Sequence, residues 1–269
     1  MKKLIVALSL ISAYGASWAE DCSSFFVQGK KPIITKTAMQ KMSRELCYTE
    51  FAVMHSGITR TPLWTAEYLT PAKMLLAEKL PRKDDFHAEK LLPENERAEL
   101  SDYENSGYDR GHLAPANDMP DSISQKESFS LANMVPQYKS VNRGLWAGIE
   151  DTLHDAAMAG QRFYIITGPL FEGTKILQIN KRVMVPTAMF KAVYDPAKQE
   201  AAAYVVSNDS SLPLEQVYAT ARYVSIAELE TRAGINLFPH MSAEAKKKML
   251  ALPSPSPRYG VSPTGSTSR

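Results

Sequence analysis

Three β-rich runs in the second half of the chain follow one another without the strand–helix–strand rhythm that a parallel sheet requires. They are Arg162–Gly168, stopped by Gly168-Pro169, then Val183–Tyr194 and Ala201–Val206. An antiparallel or mixed sheet is expected. Helices are predicted over Val141–Met158, where Leu145, Ile149, Leu153 and Ala156 recur at spacings of four, four and three, and over Ser225–Arg232, closed by Gly234. The class is therefore α+β. The sequence has no Gly-x-Gly-x-x-Gly, Gly-x-Ser-x-Gly or Walker loop, which weakens nucleotide-cofactor and acyl-transfer readings.

The first nineteen residues read as a secretory signal, with Lys2 and Lys3, an apolar core from Leu4 to Ala16, and a cut expected after Ala19. The apolar run is shorter than the roughly 20 residues that span a bilayer, so an exported chain without a membrane anchor is expected, retained in a periplasm or released. Residues 20–252 read as one domain. From Pro253 a Pro/Ser run leads into a Gly/Ser/Thr-rich end, and residues 253–269 are expected to be a disordered tail. Removing Lys2 and Lys3 leaves 29 basic against 29 acidic side chains, so any polyanion site must be a local arrangement. Lys246, Lys247 and Lys248, the densest basic run, read as the solvated face of a helix begun near Ser242. Cys22 and Cys47 are the only cysteines. In an oxidising compartment such a pair favours a disulfide over two buried thiols, and without nearby histidines it does not make a zinc site.

The run Asp109-Arg110-Gly111-His112-Leu113-Ala114-Pro115-Ala116 sets a proton acceptor beside a phosphate-binding cation on a tightly turned backbone. Histidine titrates near about 6.5 and can take a proton in the working range, and Arg110 offers a planar fork of donors suited to a phosphate. The pattern points to phosphodiester chemistry, although a loop histidine by itself is more often structural. In the predicted helix, Asn142, Trp146 and Glu150 follow at intervals of four. Each such step turns the helix by only about 40°, so the three share one flank that can offer a neutral oxygen and a carboxylate to one ion. Separately they read as a cap, a core aromatic and a surface charge.

Together with Asn133-Met134-Val135-Pro136-Gln137, these two segments resemble the DNA/RNA non-specific endonuclease family, the endonuclease G and Serratia type. Thr59-Arg60-Thr61-Pro62-Leu63-Trp64 resembles its arginine-bearing segment, and Ile226–Glu230 leading to Leu237-Phe238-Pro239 its closing helix, so similarity covers roughly residues 45 to 240. Val135 stands where a small polar residue is frequent and Arg143 where glutamine is common; neither change removes a catalytic group. Arg143 reads either as an added phosphate contact or, the favoured reading, as a residue on the solvated side of the helix.

The resemblance implies a ββα-metal (His-Me finger) core with a central, mostly antiparallel sheet flanked by helices. It implies His112 as general base, Asn142 as direct ligand to Mg²⁺, with Mn²⁺ as a substitute, and Glu150 holding metal waters. It also implies Arg60 and Arg110 clamping the scissile phosphate, while Asn133 and Gln137 either support substrate or brace the hairpin, and Asp109 orients its neighbours. The implied substrates are DNA and RNA, cut without sequence preference, and pairing into a homodimer is left open. His55, His87, His154 and His240 have no motif partners. The competing readings are a catalytically silent nucleic-acid binder, a small-molecule phosphodiesterase with a closed pocket, and a zinc enzyme. The first is disfavoured by retention of His112, Asn142, Glu150 and Arg60, and the last by the lack of His/Asp companions at ligand spacing.

Overall fold

A seven-stranded sheet runs through the computed structural model, which describes residues 22–209 and 221–255. From one edge its strands are Arg222–Val224, Glu200–Ser207, Ala188–Asp195, Phe163–Leu170, Thr61–Leu69, Phe51–Ser56 and Ser43–Cys47, and all neighbours are antiparallel. The expected α+β class and antiparallel sheet are those observed. Side chains alternate along each strand, so Phe190, Ala192 and Tyr194 join a cluster with Phe25, Phe26, Ile226 and Leu229. Met189 and Val193 join another with Leu145, Trp146, Ile149 and Leu153. Both faces are thus covered, and each fully buried side chain of this size contributes about 1.5–3 kcal/mol.

On the second face stands a smaller unit. Strands Tyr108–His112 and Met134–Tyr138 pair antiparallel, with Asp109 opposite Gln137 and His112 opposite Met134. They lead into a helix whose first part, Val141–Trp146, is π-helical and whose remainder, Ala147–Met158, is α-helical. The even spacing of apolar residues concealed that change of pitch. Val135, Val141 and Ile149 carry the unit onto the sheet.

Other departures from the sequence reading have local causes. Gly168-Pro169 does not stop its strand, which continues to Leu170. The ladder to Thr61–Leu69 ends at Thr167, so beyond that point proline costs no hydrogen bond on that side. A Cβ on Gly168 would meet the Leu63 carbonyl at 2.6 Å, which requires glycine there. The predicted run Val183–Tyr194 divides into Val183–Met184 and Ala188–Asp195, with Pro186 between them. The helix Ile226–Ala233 forms as expected: Ser225 Oγ caps the Glu228 amide and Gly234 closes it at φ 70°. Ser242 caps a short helix, Ala243–Lys247, but Lys246 is not on a solvated face; it is buried and donates to Glu230 and Asn236.

The predicted signal (1–19) and residues 256–269 of the expected tail lie outside the described residues. The Pro253 carbonyl accepts a hydrogen bond from the Tyr204 hydroxyl at 2.7 Å, so the chain is still attached to the domain at that point. No helix among the described residues is long and apolar enough to cross a membrane.

Cys22 and Cys47 form the expected disulfide, across a sequence separation of 25. It ties the N-terminal 3-10 turn, Cys22–Phe25, to the edge strand. Closing a loop of this length restricts the unfolded chain by about 3 to 4 kcal/mol. Reduction should therefore lower the melting temperature by about 10 °C. Calorimetry with and without reductant checks this, and an unchanged midpoint in fully reduced protein would contradict it.

Candidate active site

The strand Tyr108–His112 and the helix that follows Met134–Tyr138 border an open cavity of about 1050 Å³. Tyr108, Arg110 and His112 alternate along the strand and all line it. His112 is 9% exposed and stands among aromatic rings, 5.0 Å from Phe129 and 5.7 Å from Phe86 between centroids. Two cations use the same rings: Arg110 lies 4.0 Å over Phe86 and Arg82 lies 5.1 Å over Phe129. Burial first, then the charges of Arg82 and Arg110, push the His112 imidazole down to about 3. It is therefore neutral across the ordinary pH range, with a nitrogen lone pair able to accept a proton.

The backbone beside this imidazole is held from the core. The His112 carbonyl accepts from Trp146 Nε1 at 3.2 Å and the Leu113 carbonyl from Lys191 Nζ at 3.1 Å. The Ala114 carbonyl accepts from Asn133 Nδ2 at 2.8 Å, while Asn133 Oδ1 accepts from the Ala114 amide at 3.0 Å. Asn133 is fully buried and does not line the cavity. Its place is that of a brace for the loop rather than a contact for substrate. Gln137 is also fully buried and outside the cavity, lying against Gly111, where any Cβ would collide with its amide.

Asn142 and Glu150 do line the cavity, but Trp146 between them does not; it is 1% exposed and turned into the core. The single flank expected from four-residue spacing is thus divided. Asn142 Nδ2 donates to Asp109 Oδ2 at 3.0 Å, and Arg143 places Nε and Nη2 on the two oxygens of the same carboxylate at 2.8 and 3.0 Å. Burial opposes ionisation of Asp109, yet the Arg143 and Asn142 hydrogen bonds outweigh it and hold the carboxylate below its usual range. Asp109 therefore orients its neighbours, and fixing the Asn142 amide nitrogen leaves the amide oxygen as the group free for a cation. Arg143 is exposed as expected, but it lines the cavity instead of facing away from it.

Arg60 is not brought to this place. It sits at φ 55° in the turn between Phe51–Ser56 and Thr61–Leu69, with Nε on the Asn95 carbonyl at 3.1 Å and Nη1 on the Arg182 carbonyl at 2.9 Å. Those two bonds make it a cross-link between loops. The second cation near His112 is instead Arg82, from the loop Arg82-Lys83-Asp84-Asp85-Phe86. Its only trace in the sequence is an arginine a few residues before an aromatic. His154, without a motif partner in the sequence, also lines the cavity, bound by Asp118 Oδ1 at 2.7 Å and Glu78 Oε1 at 3.1 Å. The hydrogen bond that its Nδ1 donates to Asp118 raises its pKa.

Known proteins resemble this chain over most of its length. The sequence model of DNA/RNA non-specific endonucleases matches residues 29–244. Endonuclease G, mitochondrial, of Caenorhabditis elegans is 31% identical over 214 residues, covering 74% of this chain and 69% of its own. The mitochondrial nuclease of Saccharomyces cerevisiae is 32% identical over 224 residues, covering 74% and 67%. A chain of the crystal structure of the EndoG/EndoGI complex superposes with a TM-score of 0.67 at 24% identity, over 81% of this chain and 96% of that one, a likeness of fold.

The buried histidines set an acid limit on stability. His112 is held down to about 3 and His55, buried with Nε2 on the Glu96 carbonyl, down to about 4 by burial. Both are neutral in the fold, whereas the unfolded chain takes up their protons near about 6.5, so stability is complete above that pH and is lost as pH falls from there toward 4. Each contributes up to about 1.4 kcal/mol per pH unit. Melting temperatures of the parent and His112→Gln between pH 4 and 8 should show a shallower acid slope in the variant. Identical slopes would contradict a buried, neutral His112.

Proposed function

The chain belongs to the DNA/RNA non-specific endonuclease family, and from that membership and the cavity around His112 we propose that it hydrolyses phosphodiester bonds of DNA and RNA using His112 as general base and a divalent cation, Mg²⁺, held by Asn142 and Glu150. The observation that carries the reading is a neutral, desolvated imidazole flanked by two arginines in the same cavity as an oriented amide oxygen and a carboxylate.

His112 accepts the proton of the attacking water. Desolvation keeps the imidazole unprotonated, and the Phe86 and Phe129 rings limit its rotation. Arg82 and Arg110 meet the scissile phosphate with charge where negative charge grows; Arg110 is held over Phe86, and Arg82 over Phe129 with its Nε on Asp84 Oδ1 at 2.8 Å, which leaves its terminal nitrogens for the phosphate. Arg60 is left out of this scheme because its guanidinium is occupied by two carbonyls. All of these groups address phosphate or water, so cleavage is independent of base sequence.

The donor set suits a hard cation. An amide oxygen and a carboxylate face one open space, and among the described residues no three His, Cys, Asp or Glu side chains converge as a zinc set would need. Asn142 would ligate the ion directly and Glu150 would hold its waters. When bound, such an ion supplies positive charge to the phosphate and acidifies its waters. The open cavity favours a polymer over a small diester. Export is part of the proposal, supported by the leader-like first nineteen residues and the disulfide.

Plasmid nicking with Mg²⁺ tests the reading. His112→Ala should lose about 10²- to 10⁴-fold in rate while keeping its fold and DNA affinity, and a chelator should silence the parent; normal turnover by the variant would sink the mechanism. The two arginines should separate cleanly. Arg82→Ala should lose about 10²-fold in kcat/KM with little change in melting temperature, whereas Arg60→Ala should melt earlier with near-parental kcat. The opposite pattern would return Arg60 to the site.

A further inference from the structure

All eight residues of the strand Ala188–Asp195 are buried, and Lys191 in its middle turns toward the face that carries the site. It is 1% exposed and lines no part of the cavity. Its Nζ donates to the Leu113 carbonyl at 3.1 Å and to Thr167 Oγ1 at 3.0 Å, and lies 5.4 Å from the Trp146 ring. Glu67 Oε1, on the strand Thr61–Leu69, is 3.8 Å away. A buried ammonium is costly unless compensated, and Glu67 is the carboxyl that stands beside it. Its carboxylate takes no hydrogen bond from the described residues. Burial pushes that carboxyl up to about 8, against the pull of the nearby ammonium.

An amide could bond one loop carbonyl without this cost, but only an ammonium offers three donors from one point. Lys191 thereby joins a loop carbonyl, a sheet hydroxyl and the ring of Trp146, the same tryptophan that donates to the His112 carbonyl. We propose that Lys191, beside Glu67, is a positioning residue for the nuclease reaction: it fixes the Leu113–Ala114 peptide next to His112, so that the imidazole meets the cavity in one orientation. This role rests on the nuclease reading of the cavity.

The test compares the parent, Lys191→Met and the double variant Glu67→Gln/Lys191→Met for melting temperature, and for kcat and KM on an oligonucleotide with Mg²⁺. The single variant leaves a buried carboxyl without its cation and should melt earlier. The double variant should recover most of that loss, while its kcat stays about tenfold to 10²-fold down with KM within about twofold of the parent. Parental kcat in the folded double variant would reduce the pair to packing, and a raised KM with parental kcat would mean substrate contact; either overturns the role. Should the double variant not fold, Thr167→Val, which removes one Lys191 partner, should lower kcat at unchanged KM, and Thr167→Ser should restore it. Parental kcat in Thr167→Val would overturn the role as well. A parent that leaves the oligonucleotide intact refutes the nuclease reading itself, whereas an active parent with active variants refutes only Lys191.

Discussion

Three consecutive carbonyls, those of His112, Leu113 and Ala114, each accept a hydrogen bond from a buried side chain, and the arrangement of the cavity depends on this. The strand that carries His112 belongs to a sheet of only two strands, which is marginal on its own in water. Its rigidity must come from elsewhere. Trp146 supplies it from the helix, Lys191 from the large sheet and Asn133 from the turn before the partner strand. Each donor comes from a different element, so the loop cannot shift against one of them without breaking its bonds to the others. The buried carbonyls are also satisfied in the same act, which spares the fold their desolvation.

Charges of both signs line the cavity. Arg82 and Arg110 stand over the aromatic pair beside His112, Arg82 Nε donates to Asp84 at 2.8 Å and Arg143 to Asp109, and Glu78, Asp118 and Glu150 are also in the lining. A site that must draw both a phosphate and a cation needs both signs at close range, and it gains little from distant charge because the screening length at physiological salt is about 8 Å. A chain with basic and acidic side chains in balance is therefore no obstacle to polyanion chemistry. The neutrality that argued against a broad basic surface in the sequence agrees with a site built from local charge.

The architecture was legible where local patterns decide it. Alternating β-rich runs without intervening helices gave the antiparallel sheet, and Ser225 with Gly234 bounded a helix that formed as read. The octet likewise marked the imidazole and Arg110, and Asp109 took the orienting part assigned to it. What was not legible is direction. Arg60 and Arg82 are both loop arginines in the sequence; only the tertiary packing of Phe86 against Phe129 at 4.8 Å brings one of them to His112, while nearby carbonyls occupy the other. Lys246 in a run of lysines read as solvated, because nothing local reveals that Glu230 and Asn236 converge on it. Lys191 was the exception that could have been noticed, as a single charge inside an otherwise apolar strand, since such a residue must have a partner in the core.

The largest departure from the sequence reading is also what lets the helix serve the cavity. A regular α-helix overshoots a full turn by about 40° every four residues, so Asn142 and Glu150, eight apart, would diverge by about twice that angle. The first stretch is instead π-helical, with Gly144 outside the helical region at φ −103°, ψ −106°. A π turn is wider, closing on the fifth residue ahead, and four of its residues fall short of a full turn. Overshoot and shortfall partly cancel, and the two polar groups return to the same cavity while Trp146, midway between them, is released into the core to hold the His112 carbonyl. With straight α-helix through this stretch, Asn142 and Glu150 would stand about 80° apart; with the local change of pitch both line the cavity and Trp146 stays in the core.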